Sequence, residues 1–285
     1  MLMPTMSILL ALTMALPEVS PVGLRIDPSF GSGAIWDDGL AEVAHYEAHR
    51  MVYGADRAFL TTLITVKEDL DARTAVKADA PHTGRPIITV LKLNIVSMIP
   101  AGNYPYNYMT SVFARRDDPR ILVKAASSSQ DWCGTTFKEV VTWDGPPRLQ
   151  FHSYFDAQAD GVHPITLDAG ALLEEQLFLV MRAVLPAAGE TARIPIHESL
   201  ISNSVPRAPV PRMVRLVHAG SESLSTPAGR FETNRYDLHD DTASSGPLLS
   251  YWIEQGARRA LVEFSAADGR SLLLKEITRR NYWSR

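Results

Sequence analysis

Residues 121–155 read ILVKAASSSQDWCGTTFKEVVTWDGPPRLQFHSYF. Three runs rich in β-branched and aromatic residues, 121–129, 135–143 and 149–155, are parted by Cys133-Gly134 and by Asp144-Gly145-Pro146-Pro147. Short β-prone runs with Gly and Pro turn signals every 8–15 residues predict an antiparallel meander rather than βαβ units. The same stretch holds the one cysteine of the chain, Cys133, with Asp131 and Trp132 before it and His152 and Tyr154 in the next run but one. It is therefore also the densest gathering of reactive and aromatic groups.

The pattern extends outward. In 58–66, Ala58, Leu60, Thr62, Ile64 and Val66 alternate with Phe59, Thr61, Leu63 and Thr65, a strand signature. Residues 41–53 fit strand or helix, and Gly54-Ala55-Asp56 after them favours a hairpin. Runs at 87–96, 104–115, 193–201, 213–219, 230–238, 249–254, 260–265 and 271–282 bring the expectation to eleven or twelve strands. One long helix is expected over 169–185, where Leu172, Leu173, Gln176, Leu177, Val180, Met181 and Val184 follow helical spacing and Pro186 stops it. Glu174 and Glu175 would suit its first turns and Arg182 its last. The fold class is mostly β: a large curved antiparallel sheet or open β-barrel with one long α-helix. The helix would cover the sheet's concave side or an end.

Totals set the outer bounds. With 285 residues, 46% hydrophobic and 21% charged, the chain can bury a full core. Twenty-eight Lys and Arg against 32 Asp and Glu give a net charge of −4, and no basic stripe of the kind nucleic acid requires is present. Residues 1–15, MLMPTMSILLALTMA, form an uncharged apolar run with Thr13 and Ala15 at cleavage spacing, so residues 1–20 read as a signal peptide. Residues 21–285 then form a single β-rich domain, with room for a loose division near 160–210. The expected location is periplasmic or secreted, with cytoplasmic as the alternative. No run is apolar for long enough to make a transmembrane helix. A single cysteine excludes an intrachain disulfide and a cysteine-based zinc cluster.

Val90-Leu91-Lys92-Leu93-Asn94, Gly102-Asn103-Tyr104-Pro105-Tyr106, residues 127–134 and His152-Ser153-Tyr154-Phe155, with Lys77-Ala78-Asp79, resemble a bacterial family of exported proteins with no established activity. Its members often carry the label of septum-formation inhibitors of the Maf type. The Ser-rich, Pro-Arg-Arg loop of Maf pyrophosphatases has no counterpart here, so that label does not apply. The resemblance covers 36–155. From Gly220 through Thr226-Pro227-Ala228-Gly229-Arg230-Phe231 to Tyr282-Trp283 the chain is similar to a periplasmic β-rich domain of unknown function. These resemblances imply export and an all-β fold and bring no site residues.

Four constellations carry chemistry. Cys133 as nucleophile, His152 as base and Asp131 orienting the imidazole would make a thiol-dependent hydrolase or transferase. In the alternative, Trp132 and Cys133 plug the core while Asp131 caps backbone amides. His45, Glu47 and His49 lack zincin spacing and, on a strand, place the two histidines too far apart for one ion. Ser127-Ser128-Ser129 lacks a nucleophile elbow. Asp237, His239, Asp240 and Asp241 lack calcium-loop spacing. No metal and no cofactor are expected. Trp132, Tyr154, Tyr106 and Ser129 are the candidates for lining a ligand site, with Tyr104, Tyr106 and Tyr108 as an aromatic wall. The leading functional expectation is a non-catalytic exported protein that binds an apolar or amphipathic ligand, or an envelope partner, in the curved sheet. The thiol enzyme is one alternative and a structural cell-envelope assembly protein is another.

Overall fold

In the computed structural model the described residues are 23–167, 170–185, 187, 191–204, 209–241 and 246–283, so the expected signal peptide lies outside them. A short helix α1 (Ser29–Ser32) and a 3₁₀ turn (Ala34–Trp36) lead into the strands. These are β1 (Ala41–Val52), β2 (Ala55–Asp71), β3 (Val76–Lys77), β4 (Ile87–Pro100), β5 (Pro105–Arg115), β6 (Leu122–Gln130), β7 (Thr135–Val141), β8 (Arg148–Ser153), β9 (Gly161–Pro164) and β10 (Leu172–Leu173). Helix α2 (Leu177–Ala183) intervenes. Then come β11 (Thr191–His197), β12 (Arg212–Thr226), β13 (Gly229–Asp240), β14 (Leu249–Glu254), β15 (Leu261–Ala266) and β16 (Ser271–Arg280).

All sixteen strands join one sheet in the order β10-β11-β12-β13-β14-β15-β16-β1-β2-β4-β5-β6-β7-β8-β9, with β3 beside β2. Every pairing is antiparallel except β10 with β11. The extra strands relative to the sequence reading are pieces of two to four residues, too short to show alternation. Two meanders, β1–β9 and β11–β16, are sewn together where β1 lies against β16. The sheet curls without closing. Its edges β9 and β10 are spanned by His197 Nε2, which donates to Thr166 O at 2.7 Å.

The long helix of the sequence reading is seven residues. Leu172 and Leu173 instead pair with Ile196 and His197 as β10, and Glu174-Glu175-Gln176 turn the chain. The apparent 3.6 period is the overlap of a buried two-residue strand with a helix that is buried on all sides. From Leu177 to Ala183 every residue is buried, the pattern of an element enclosed by its neighbours rather than lying on a surface. Gln176 Nε2 donates to Pro119 O (2.8 Å) and Arg120 O (2.9 Å) on the β5–β6 corner, while Asp27 N donates to Ala183 O (2.7 Å). The helix thus stoppers the lower mouth of the curl, among the β5–β6 and β14–β15 corners. A single hydrophobic cluster, including Leu24, Leu93, Val140, Leu179, Tyr236 and Leu274, packs around it.

Arg182 fixes the stopper. Its guanidinium donates to both oxygens of Glu42 at 2.8 and 3.0 Å and to the carbonyls of Arg259 (2.8 Å) and Arg258 (3.0 Å). Phe30 and Trp36 face it at 5.2 and 5.4 Å. Gly31, next in sequence to Phe30, must be a glycine, because a Cβ there would stand 1.7 Å from Arg116 O. Breaking a buried pair leaves a charge without compensation. Arg182→Met is therefore expected to lose about 3–5 kcal/mol in urea unfolding. Glu42→Gln added to it should recover part of that loss.

Candidate functional site

Inward positions on the first meander form a continuous hydroxyl row. Thr61 lies opposite Ser97, Ser97 opposite Tyr108, Tyr108 opposite Ser129, Ser129 opposite Thr136, and Thr136 opposite Ser153. Opposed residues of an antiparallel ladder share a face, so these groups line one wall just inside the upper mouth. Thr61 Oγ1 and Ser97 Oγ share a hydrogen bond of 2.7 Å, as do Thr136 Oγ1 and Ser153 Oγ at 3.1 Å. In the next row, Ser127 faces Lys138, and Ser127 Oγ bonds Thr110 Oγ1 at 2.8 Å.

Above the wall, four turns at the same mouth each present an aromatic ring. They carry Tyr53 (β1–β2), Tyr104 (β4–β5), Trp132 (β6–β7) and Tyr154 (β8–β9). Tyr53, Trp132 and Tyr154 are 77%, 79% and 73% exposed. Tyr104 stacks on Trp132 with centroids 5.6 Å apart and the planes 14° from parallel. Tyr104 also leans on Tyr106 at 5.8 Å, and Tyr106 meets Tyr108 edge-on at 6.3 Å. The hydroxyls of Tyr53 and Tyr106 are hydrogen-bonded. Tyr53 and Gly54 both have positive φ, 51° and 74°, in a two-residue hairpin turn between Val52 and Ala55. That turn favours Asn-Gly, so a tyrosine there costs conformational energy.

The Asp131-Trp132-Cys133-Gly134 turn is held by its own aspartate. Asp131 Oδ1 accepts from Cys133 N (2.7 Å) and Gly134 N (2.9 Å), which is the amide-capping alternative of the sequence reading. Trp132 and Cys133 do not plug the core, because the turn projects beyond the last ladder pair and leaves both exposed. Gly134 admits the ring of Tyr154, whose Cδ1 would lie 2.2 Å from a Cβ at that position. Cys133 Sγ and the Tyr104 hydroxyl are 3.0 Å apart. This bond, ahead of burial, raises the Tyr104 pKa. Burial first, then the bond to Tyr53, raises Tyr106 further.

The structure brings together all four expected ligand-lining residues, Tyr106, Ser129, Trp132 and Tyr154, at this mouth. It does not assemble Cys133 with His152. His152 lies opposite Phe137 on the outer face and pairs with Asp160 at 3.4 Å, while Asp131 is spent on its turn and on Asn203 Nδ2 (3.2 Å). His45, Glu47 and His49 lie along β1 with separate partners: Thr62 (2.9 Å), Lys275 (3.2 Å) and Asp56 (2.9 Å). Asp237 is tied to Ser250 and Arg235, and Asp240 and Asp241 to Arg212 and Arg193. Among the described residues no group of three His, Cys, Asp or Glu side chains is placed to hold a metal ion, and no helix is long and apolar enough to cross a membrane.

The concavity expected to receive a ligand is packed by the main hydrophobic cluster and closed at its lower end by α2. A pocket of about 30 Å³ beside the end of that helix, lined by Leu24, Val184 and Tyr236 among others, has room for about one water. Arg50, Lys138 and Glu175 also lie near this mouth and are not expected there from sequence. Lys138 had a usable signal: in Thr136-Phe137-Lys138-Glu139-Val140 it shares the inward register of Thr136 and Val140, where charge is unexpected. Glu175 is fully buried, with Oε1 accepting from Ser199 Oγ and from Leu200 N (2.8 Å) and Oε2 without a partner. Burial, helped by neighbouring Glu174, pushes its carboxyl up to about 7. Burial brings the Lys138 ammonium down to about 8, against the opposing pull of Glu175.

No family model matches the chain, and no curated protein matches it. Among solved structures, the crystal structure of a β-barrel-like protein of domain of unknown function DUF1849 from Brucella abortus is similar. The two share 7% identity over 85% of this chain and 98% of that one, with a TM-score of 0.45.

Two outcomes follow from the geometry. The folded protein should be alkylated at Cys133 by iodoacetamide, and His152→Ala should leave the rate within twofold while Tyr104→Phe alters it. Because Glu175 in the fold binds a proton more tightly than the ordinary 4.5, wild-type stability should fall as pH rises from 4.5 through 7. Denaturant titrations of Glu175→Gln should lack that fall, which is on the order of 1–3 kcal/mol.

Proposed function

We propose that this protein is exported and acts without catalysis, binding a single-chain amphipathic molecule at its aromatic mouth. The observation that carries the reading is the convergence of Tyr53, Tyr104, Trp132 and Tyr154 on one rim, from four separate turns, above a wall continuing through Tyr106 and Tyr108. Tyrosine and tryptophan suit such a contact, since each offers a large apolar face and a polar end. Tyr53 holds a backbone conformation that a turn selected for stability alone would give to asparagine or glycine. The apolar run at 1–15 supports export. The thiol-enzyme alternative lacks its base, since His152 is engaged by Asp160 and Cys133 by Tyr104.

An envelope protein as partner is favoured by a different observation. The outer row Thr62, Val96, Met109, Ser128, Phe137 and the adjacent row Met98, Asn107, Gln130, Thr135 carry no charge. Val96, Met98, Met109 and Phe137 among them are exposed. Methionine-rich, uncharged surface of this kind is typical of association sites.

Calorimetric titration with dodecyl maltoside tests the mouth. Trp132→Ala and Tyr154→Ala should each weaken binding about tenfold, a loss of ~1.4 kcal/mol. Met98→Lys on the outer face should leave it unchanged. Equal affinities across all three variants would remove the mouth as the site, and sensitivity to Met98→Lys alone would move it to the outer face.

A further inference from the structure

The hydroxyl row is covered at the mouth by residues 199–204, which follow β11 without joining the ladder. Wall side chains hold this strap by its carbonyls. Lys138 Nζ donates to Leu200 O (3.1 Å), to Ser202 Oγ (2.9 Å) and to Ser204 O. Arg50 NH2 donates to Ile201 O (2.8 Å), and Thr136 Oγ1 to Asn203 O (3.4 Å). Asn203 Oδ1 accepts from Tyr108 OH (3.1 Å), and its Nδ2 donates to Asp131.

Two features of the wall are unexplained by support of the strap. Lys138 is 1% exposed, yet among the described residues neither it nor Arg50 forms an ion pair, and every oxygen the two reach is neutral. Buried cations are ordinarily matched by carboxylates, because neutral oxygens compensate only part of the lost hydration. Ser129, 4% exposed and beside Thr136 in the same row, has a hydroxyl with no partner. Of the nearby acids, Glu174 and Asp268 pair with Arg270, while Glu175 accepts from the strap's own Ser199 and Leu200 and pulls on Lys138 without hydrogen-bonding to it.

We propose that residues 199–204 are a displaceable strap occupying, in cis, the site for the anionic head of an amphipathic chain, with Lys138 and Arg50 as its cationic floor. This rests on the mouth as a binding site and adds the chemical class of the ligand. The three oxygens around Lys138 mark where carboxylate oxygens enter. Ser129 and Thr136 offer hydroxyls to the same head, and Ile99, Tyr106 and Tyr108, one hydrophobic cluster, receive the first part of the tail. The exchange is non-covalent: strap carbonyls leave, carboxylate oxygens arrive, and the strap meets solvent.

Calorimetry with laurate and with neutral dodecanol, equal in chain length, tests this on wild type, Asn203→Ala, Lys138→Met and Lys138→Arg, each checked for native unfolding behaviour. Asn203→Ala removes two anchors of the strap and should tighten laurate at least fivefold. Laurate should exceed dodecanol at least tenfold in that background. Lys138→Met should abolish the preference and Lys138→Arg should keep it. Equal binding of both probes, lost with Trp132→Ala but indifferent to position 138, would overturn the strap inference and leave the mouth reading standing. Binding of neither probe to any variant would overturn both.

Discussion

The architecture depends on the seating of one cation. Arg182 is carried on a seven-residue helix that could not persist alone, since a helix so short repays little of its nucleation cost. Its guanidinium is satisfied on every side: Glu42 at the start of β1, two carbonyls of the β14–β15 corner, and the rings of Phe30 and Trp36. Through this one group the helix, both meanders and the N-terminal approach share a single point of reference. A buried ion pair adds little net stability over a well-packed apolar pair in its place, but it tolerates few alternative arrangements. It therefore specifies where the stopper sits more than how tightly it is held.

Most of the β architecture was legible because alternation is a local property. Residues 58–66 and the three runs within 121–155 show period two, and all are strands, the three close to their expected limits and the first extended to Ala55–Asp71. The helix was misjudged for a physical reason. Leu172 and Leu173 are drawn into the sheet by Ile196 and His197, a partnership twenty-four residues away that no local pattern encodes. The short strands β3, β9 and β10 escaped notice in the same way. At the mouth, Tyr106, Ser129, Trp132 and Tyr154 could be named as candidates from sequence because they crowd one stretch and its neighbours. Tyr53, Arg50, Lys138 and Glu175 were not, because what marks them is register, backbone angle or enclosure, and those exist only once the strands are aligned.

The upper and lower ends of the curl solve the same problem differently. An open-ended sheet must cover the apolar interior at both mouths. Below, the cover is a helix with a fully satisfied ion pair. Above, it is an irregular segment held by side chains reaching across from five different places. The first solution commits its polar groups to partners of opposite charge. The second leaves two cations among neutral oxygens and one serine hydroxyl with nothing. Polar groups left in that state are costly in a protein interior, and these three lie at the end that also bears the exposed rings. Fold-keeping thus falls to the lower end of the sheet, and the recognition proposed above to the upper end.

The pairing of β1 with β16 has a consequence for the order in which the chain can fold. Within each meander, hairpins join neighbours in sequence and can form soon after synthesis. The seam between the meanders joins Ala41 to Arg280, more than two hundred residues apart. Until β16 arrives, the twelve-residue edge of β1 stands with its amides and carbonyls unpaired, a template for pairing with other chains. Before the seam closes, β1 therefore offers a free edge to other chains, an aggregation hazard that pairing with β16 removes.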